Sequence, residues 1–267
     1  MTGTQRASLP TVGILRVLGM GWWFHLKMLA RSAFDGILGV LWPLFFATIA
    51  FLMYGLNGDE RALLYAGIGA SVLGVWSSVS TSGSAAVQRE RWQGTLELLV
   101  TAPVPLPLVL LPVTVAMATM GLYSMVATLL WGHFLFGIDV PLDQPLLFAL
   151  SIPVTVLSIG ALGFLLSVTV VRVRSAWAIG SSLEQPVWLV SGFLVPIGIL
   201  PDWVRPVSWF LAPTWGVNSI RESALGGHPL PDLGLCLLLG LAYLAVGMLA
   251  SESVLRSARR NATLSLS

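Results

Sequence analysis

Residues 36–56 read GILGVLWPLFFATIAFLMYGL, 21 consecutive positions without Asp, Glu, Lys or Arg. About 20 such residues, wound as a helix, reach across the hydrocarbon core of a bilayer. Working outward, the same criterion finds five more stretches. They predict membrane helices at 33–56, 62–87, 108–136, 145–171, 175–200 and 233–253. The uncharged run from Leu98 to Ile138 is too long for one span, and Pro103, Pro105 and Pro107 break its start. Glu184 is the only acid well inside a span.

Composition agrees. Of 267 residues 56% are hydrophobic and 10% charged, with a mean hydropathy of +0.85. Soluble domains carry about a quarter charged residues. A soluble globule of this composition would expose large apolar patches. A soluble enzyme, a disordered chain and a nucleic-acid-binding domain are therefore excluded classes. The single cysteine, Cys236, rules out an internal disulfide and lies in an apolar run. The expected fold is an all-α integral membrane protein with six transmembrane helices, forming one transmembrane domain over 1–267.

Residues 12–31 are apolar but carry Arg16, Lys27 and Arg31 on one helical stripe, opposite Ile14, Leu18, Trp22 and Leu29. That pattern predicts an amphipathic helix in the membrane interface, with Trp22 and Trp23 at headgroup depth. With the N-terminus inside, 11 of the 14 basic residues fall on the inner side and only Arg61, Arg205 and Arg221 fall outside. The positive-inside rule thus places both termini in the cytoplasm of a multi-pass cell-membrane protein.

After the fifth span, 201–226 is too apolar for a solvated loop and too proline-broken for a span. It is expected to form short re-entrant helices dipping from the outer face, where protein or a cavity must cover the backbone. The other reading is an amphipathic loop on the headgroups. In the second span Ala66, Ala70, Gly74, Ser78, Ser82 and Ala86 recur every fourth residue. This small-residue ridge admits another backbone closely, within the chain or across a dimer. The dense hydroxyls at Ser77, Ser78, Ser80, Thr81, Ser82 and Ser84 are read as packing, bonded to the helix's own carbonyls. For Glu184 two readings stand side by side: a polar group lining a pathway, or an acid satisfied by an internal hydrogen bond.

The motifs of catalysis are missing. His25, His133 and His228 show no metal-ligand spacing, and no nucleophile–base set or phosphate-binding loop occurs. The inner connection at 88–104 is more informative. A charged cluster, Arg89-Glu-Arg91, precedes Gly94-Thr95, where Thr95 can cap a short amphipathic helix stopped by Pro103 and Pro105.

Two stretches carry a family resemblance. The segment RERWQGTLELLVTAP, 89–103, resembles the one after the second span of type-2 ATP-binding-cassette (ABC) export permeases, close to R-E-x-x-x-G-T-L-E-x-L-x-x-[ST]-P. Here Ala102 stands where a hydroxyl residue is common, with Thr101 beside it. The region from Pro186 to Pro213 resembles the family's S-G-x-x-x-P-x-x-x-L-P-x-W pattern. The resemblance implies a transmembrane subunit of an exporter of drugs, lipids or polysaccharides, without its own ATPase site. ATP and Mg would sit on two copies of a cytosolic ABC ATPase, and this chain would bind no cofactor and no metal. A second permease, copy or paralogue, would complete the path in the lipid.

Further implied is a coupling helix at 88–104 that touches the ATPase through Arg89, Glu90, Arg91, Gly94, Thr95, Leu96 and Glu97. The 12–31 helix, with Arg16, Trp23, Lys27 and Arg31, resembles the family's connecting helix. Trp42, Phe45, Phe46, Trp76, Glu184, Trp188 and Phe193 are the residues expected to line the path. The expected substrate is a hydrophobic drug-like molecule or lipid before a polysaccharide. The rival function is an ion- or proton-coupled secondary transporter using Glu184, which would need internal repeats and midplane ionisable sites.

Overall fold

A computed structural model describes residues 11–31, 33–55, 60–92, 105–172 and 176–261, and the described residues contain helices and no strand. In chain order they are α1 (Thr11–Ala30), α2 (Ala33–Gly55), α3 (Glu60–Trp92), α4 (Leu106–Phe136), α5 (Pro145–Arg172), α6 (Ala176–Val190), a 3-10 turn (Ile197–Ile199), α7 (Arg205–Trp209), α8 (Ala212–Ala224) and α9 (Pro229–Asn261). Four of these helices, α3, α4, α5 and α9, contain stretches long and apolar enough to cross a membrane, and α2 adds a shorter apolar stretch, Gly39–Gly55. The chain is an integral membrane protein by that architecture.

α3 is the axis of the packing. It touches α2, α4, α5, α6 and α8, and Ala66, Ile68, Ala70, Val72, Leu73, Val75 and Trp76 are all buried. The small-residue ridge explains how so many helices reach it. A Cβ on Gly74 would lie 2.8 Å from Ser124 Cβ on α4 and 3.3 Å from Pro43 Cγ on α2. On the facing helix, a Cβ on Gly121 would lie 2.5 Å from Val75 Cα. At Gly74 the tight contact foreseen for the ridge is made within the chain; the side chains of Ser82 and Ala86 lie outside the described residues.

Residues 175–200 were expected as one helix, and here the structure differs. α6 ends at Val190, because Gly192 takes a left-handed backbone (φ 75°) and Ser191, Gly192 and Phe193 donate their amides back to Val187, Leu189 and Trp188. Nothing charged marks that turn in the sequence, so the apolar run concealed it. Two further boundaries move. α3 runs on as helix to Trp92, so Arg89, Glu90 and Arg91 belong to its final turn and not to a separate helix starting at 88. The last helix begins at Pro229 and continues to Asn261, beyond the expected 233–253.

α8 runs between α5 and α9. Ser219 Oγ lies 2.8 Å from Ser151 Oγ and donates to the Pro229 carbonyl, while the amides of Asp143 and Gln144 donate to the Ala224 and Ser223 carbonyls. At its other end the Ala212 amide donates to the Tyr243 hydroxyl at 3.1 Å, and that hydroxyl donates to the Phe210 carbonyl. Tyr243 lies 14 residues along α9 from Pro229, about 21 Å at ~1.5 Å per residue. The start of α8 is therefore far from the 143–144 and 229 end of the bundle.

Candidate functional site

α2 presents an apolar stripe away from the core. Ile37, Leu41, Phe45, Ile49 and Met53 recur every four residues and are 41–65% exposed, with Trp42 beside them at 48%. Trp42 stacks on Phe45 with centroids 6.4 Å apart, and both meet Phe46 edge-on at 5.2 and 5.8 Å. Phe46 in turn lies 5.6 Å from Trp188 on α6, whose indole N–H donates to Gln185 Oε1 at 2.9 Å. Four of the seven residues expected along the path therefore form one cluster bridging α2 and α6. Trp76 and Phe193, by contrast, are fully enclosed inside the chain.

Glu184, one turn before Trp188 on α6, is only 7% exposed. Its Oε1 accepts from Ser77 Oγ on α3 at 2.6 Å, and its backbone carbonyl accepts the Trp76 indole N–H at 3.1 Å. The acid is thus held between helices by an internal hydrogen bond, which stabilises a polar group at low dielectric cost. Ser78 and Ser80 bond to carbonyls of α3, as hydroxyls within spans do, while Ser77 reaches across to α6.

The residue that sequence reasoning missed is Arg221, counted among the outer basic residues. It is 3% exposed, on α8. Its Nε and Nη2 donate to the Tyr65 carbonyl at 3.3 and 3.0 Å, Nη1 donates to the Gly192 carbonyl at 3.0 Å, and Nη2 also donates to the Phe193 carbonyl. The guanidinium stacks on the Tyr65 ring, 3.3 Å from its centroid. Two tyrosines complete the arrangement: Tyr65 donates to the Gly192 carbonyl and Tyr54 to the Leu194 carbonyl, each at 3.1 Å. Gly69 makes room for it, since a Cβ there would overlap the Phe193 carbonyl oxygen and lie 2.5 Å from its carbon. In the sequence it stands between Ile220 and Glu222 and reads as an ordinary outer-loop charge.

On α1 the exposed stripe holds Arg16, Trp23, Lys27 and Arg31, with Lys27 Nζ 5.1 Å from the Trp23 ring. The opposite face docks on α4: Trp22 donates to Thr119 Oγ1 at 3.1 Å, and a Cβ on Gly21 would lie 3.1 Å from Pro112. Of the residues expected to meet an ATPase, Arg89, Glu90 and Arg91 close α3, and Gly94, Thr95, Leu96 and Glu97 lie outside the described residues. Among the described residues no group of His, Cys, Asp and Glu could hold a metal ion.

Comparison with known proteins bears on this architecture in two ways. The linearmycin resistance permease protein LnrN of Bacillus subtilis (strain 168) is 28% identical over 130 residues, 48% of this chain and 33% of the relative. The chain thus matches about a third of that protein's length. The family model described as ABC-2 type transporter matches residues 18–225, from within α1 through α8. With that match over most of its length, and with helices long and apolar enough to cross a membrane beneath it, the chain belongs to the ABC-2 type transporter family.

Proposed function

We propose that the chain is the permease subunit of an ATP-driven exporter. Two permeases face each other in the membrane, and two copies of a cytosolic ABC ATPase supply and hydrolyse the ATP with its Mg. This chain itself binds no cofactor. The observation that carries the reading is the aromatic cluster in which exposed Trp42 and Phe45 join partly buried Phe46 and Trp188, on an apolar face of an ABC-2 family chain. Such a face stacks flat or elongated apolar molecules and offers them no charge. A hydrophobic drug-like compound or lipid is the substrate class it suits best. The relative's name concerns resistance, which fits outward transport.

Six spans, both termini in the cytoplasm and a re-entrant region after α6 complete the topology. Ala212, tied to Tyr243 far along α9, supports the re-entrant reading, because α8 then rises from mid-bilayer depth towards the 143–144 connection. Non-helical backbone at that depth needs protein cover, and the Tyr243 hydroxyl supplies both an acceptor and a donor there.

Coupling runs through α3. At 33 residues it is about 50 Å long, against a hydrocarbon core of about 30 Å. Its final turn, with Arg89, Glu90 and Arg91, therefore projects beyond the bilayer, where 88–104 meets the ATPase. A stiff helix that is also the packing axis transmits a rigid-body push to α2, α4, α5 and α6 together. The exposed stripe of α1, with Arg16, Trp23, Lys27 and Arg31, rests on the inner leaflet beside it.

The test is purification from native membranes followed by ATPase assay. The wild-type protein should bring an ATP-hydrolysing partner. Reversing the contact charges, with Glu90→Lys and Glu97→Lys, should remove it while thermal unfolding of the permease is unchanged. A well-folded wild-type preparation without ATPase activity would overturn the proposal and turn attention to ion-coupled transport through Glu184.

A further inference from the structure

Three consecutive carbonyls in the turn after α6, those of Gly192, Phe193 and Leu194, bond to side chains of other elements. Arg221 of α8 takes Gly192 and Phe193, Tyr65 of α3 takes Gly192 again, and Tyr54 of α2 takes Leu194. Three elements, α2, α3 and α8, therefore meet at the turn that ends α6, and Arg221 supplies two of the four bonds to it. Its remaining bonds, to the Tyr65 carbonyl, anchor α8 to α3 at the same point.

The chemistry of this contact is unusual for a buried cation. Among the described residues no carboxylate pairs with Arg221. A buried charge is normally neutralised by an opposite one, and such a pair is costly to separate. Here carbonyl dipoles and one ring face do the work. Carbonyl bonds can be exchanged for bonds to water at less cost than a buried ion pair can be separated, since water is both donor and acceptor. A guanidinium so held is stable while the pocket is dry and free to leave when water enters. Gly69 has the same logic, because its missing side chain lets the turn seat directly on the α3 backbone with no interlocked side chain to clear.

We propose that Arg221 is a positioning residue, a reversible latch that holds the 191–194 turn and α8 against α3 in the arrangement seen here and releases them once per transport cycle. Only the timing of release rests on the ATP-driven export reading; the holding role stands on the contacts themselves. The turn is the hinge between α6, which carries Trp188, and the α7–α8 region, so freeing it moves one edge of the aromatic face.

The experiment is hydrogen–deuterium exchange on the permease–ATPase complex in lipid nanodiscs, resting and trapped with ATP and vanadate, with ATPase and transport rates measured on the same preparation. In the resting wild-type complex, amides 191–195 should be protected. Trapping should lower that protection about tenfold or more, the equivalent of losing one charge-assisted hydrogen bond. Arg221→Met should show the lowered protection already at rest and hydrolyse ATP with less transport per ATP. Arg221→Lys, which keeps the charge but not the fork of donors, should fall between and serves as the test if the Met variant does not fold.

Equal protection in the resting and trapped states of a hydrolysing wild-type complex would overturn the latch and leave a fixed rivet. Wild-type protection and coupling in Arg221→Met would overturn it as well. A complex that hydrolyses no ATP would instead overturn the export reading and, with it, the release step, while the resting comparison of wild type and Arg221→Met still decides whether Arg221 holds the turn.

Discussion

Two glycines, one helical turn of α3, provide a sharp test of the packing. Gly67 and Gly69 are two residues apart in the same helix, and sequence propensity treats them alike. A Cβ on Gly67 would find its nearest neighbours, Phe51 Cε1 and Cζ and Ile138 Cγ2, at 3.6–3.9 Å, which is ordinary contact. One on Gly69 would overlap the Phe193 carbonyl oxygen and lie 2.5 Å from the carbonyl carbon. The turn would have to retreat by about 2 Å to bring the carbonyl oxygen to normal separation, and backbone cannot rotate away as a side chain can.

The magnitudes then diverge. Alanine gains up to about 1 kcal/mol over glycine within a helix. At Gly67 that gain meets no opposing term, so Gly67→Ala should be neutral or stabilising by up to about 1 kcal/mol. At Gly69 the overpacking costs about 1–3 kcal/mol. Displacing the Phe193 carbonyl also loosens a charge-assisted bond from Arg221 worth about 1.5–3 kcal/mol. Net of the helix gain, Gly69→Ala should destabilise by about 1.5–5 kcal/mol. Reversible unfolding in mixed micelles, titrated with SDS and followed by tryptophan fluorescence, reads the difference. Two variants within about 0.5 kcal/mol of each other, the scatter of neutral substitutions, would refute the seating of the 191–194 turn on α3.

Other expectations follow from the same contacts. Glu184→Gln keeps an acceptor for Ser77, so export should stay within about twofold of wild type, whereas Glu184→Leu removes it and should cost about 1–3 kcal/mol of stability; loss of all transport in Glu184→Gln would favour proton coupling. Combined Trp42→Ala and Phe45→Ala should leave stability within about 2 kcal/mol, since both rings are half-exposed. Export of an apolar substrate should nevertheless fall about tenfold if one ring contact of about 1.4 kcal/mol is lost; undiminished export would remove this face from the path.

Much of the architecture was legible because membranes impose local rules. An uncharged run such as 36–56 or 145–171 announces a helix without reference to any other part of the chain, and α2 and α5 start and stop within a few residues of where those runs do. The 89–103 stretch pointed to the family by its own letters. What stayed hidden has no local signature. The end of α6 lies inside an apolar run, where only the left-handed Gly192 stops the helix. Arg221 resembled a loop charge, and Glu184 left two readings open because Ser77, its partner, lies more than a hundred residues away.

The sequence by itself determined that this is a helical membrane protein, roughly where its helices lie, and to which family its motifs are similar. Those conclusions rest on hydrocarbon solvation, which acts residue by residue. The tertiary structure alone decided that the Gly74 step of the ridge packs within the chain, that Glu184 is held by Ser77, that four aromatics gather on one face, and that Arg221 is enclosed by the carbonyls of Tyr65, Gly192 and Phe193. Each of these depends on helices distant in sequence meeting at a particular rotation, and a backbone carbonyl carries no residue identity by which the sequence could have announced it.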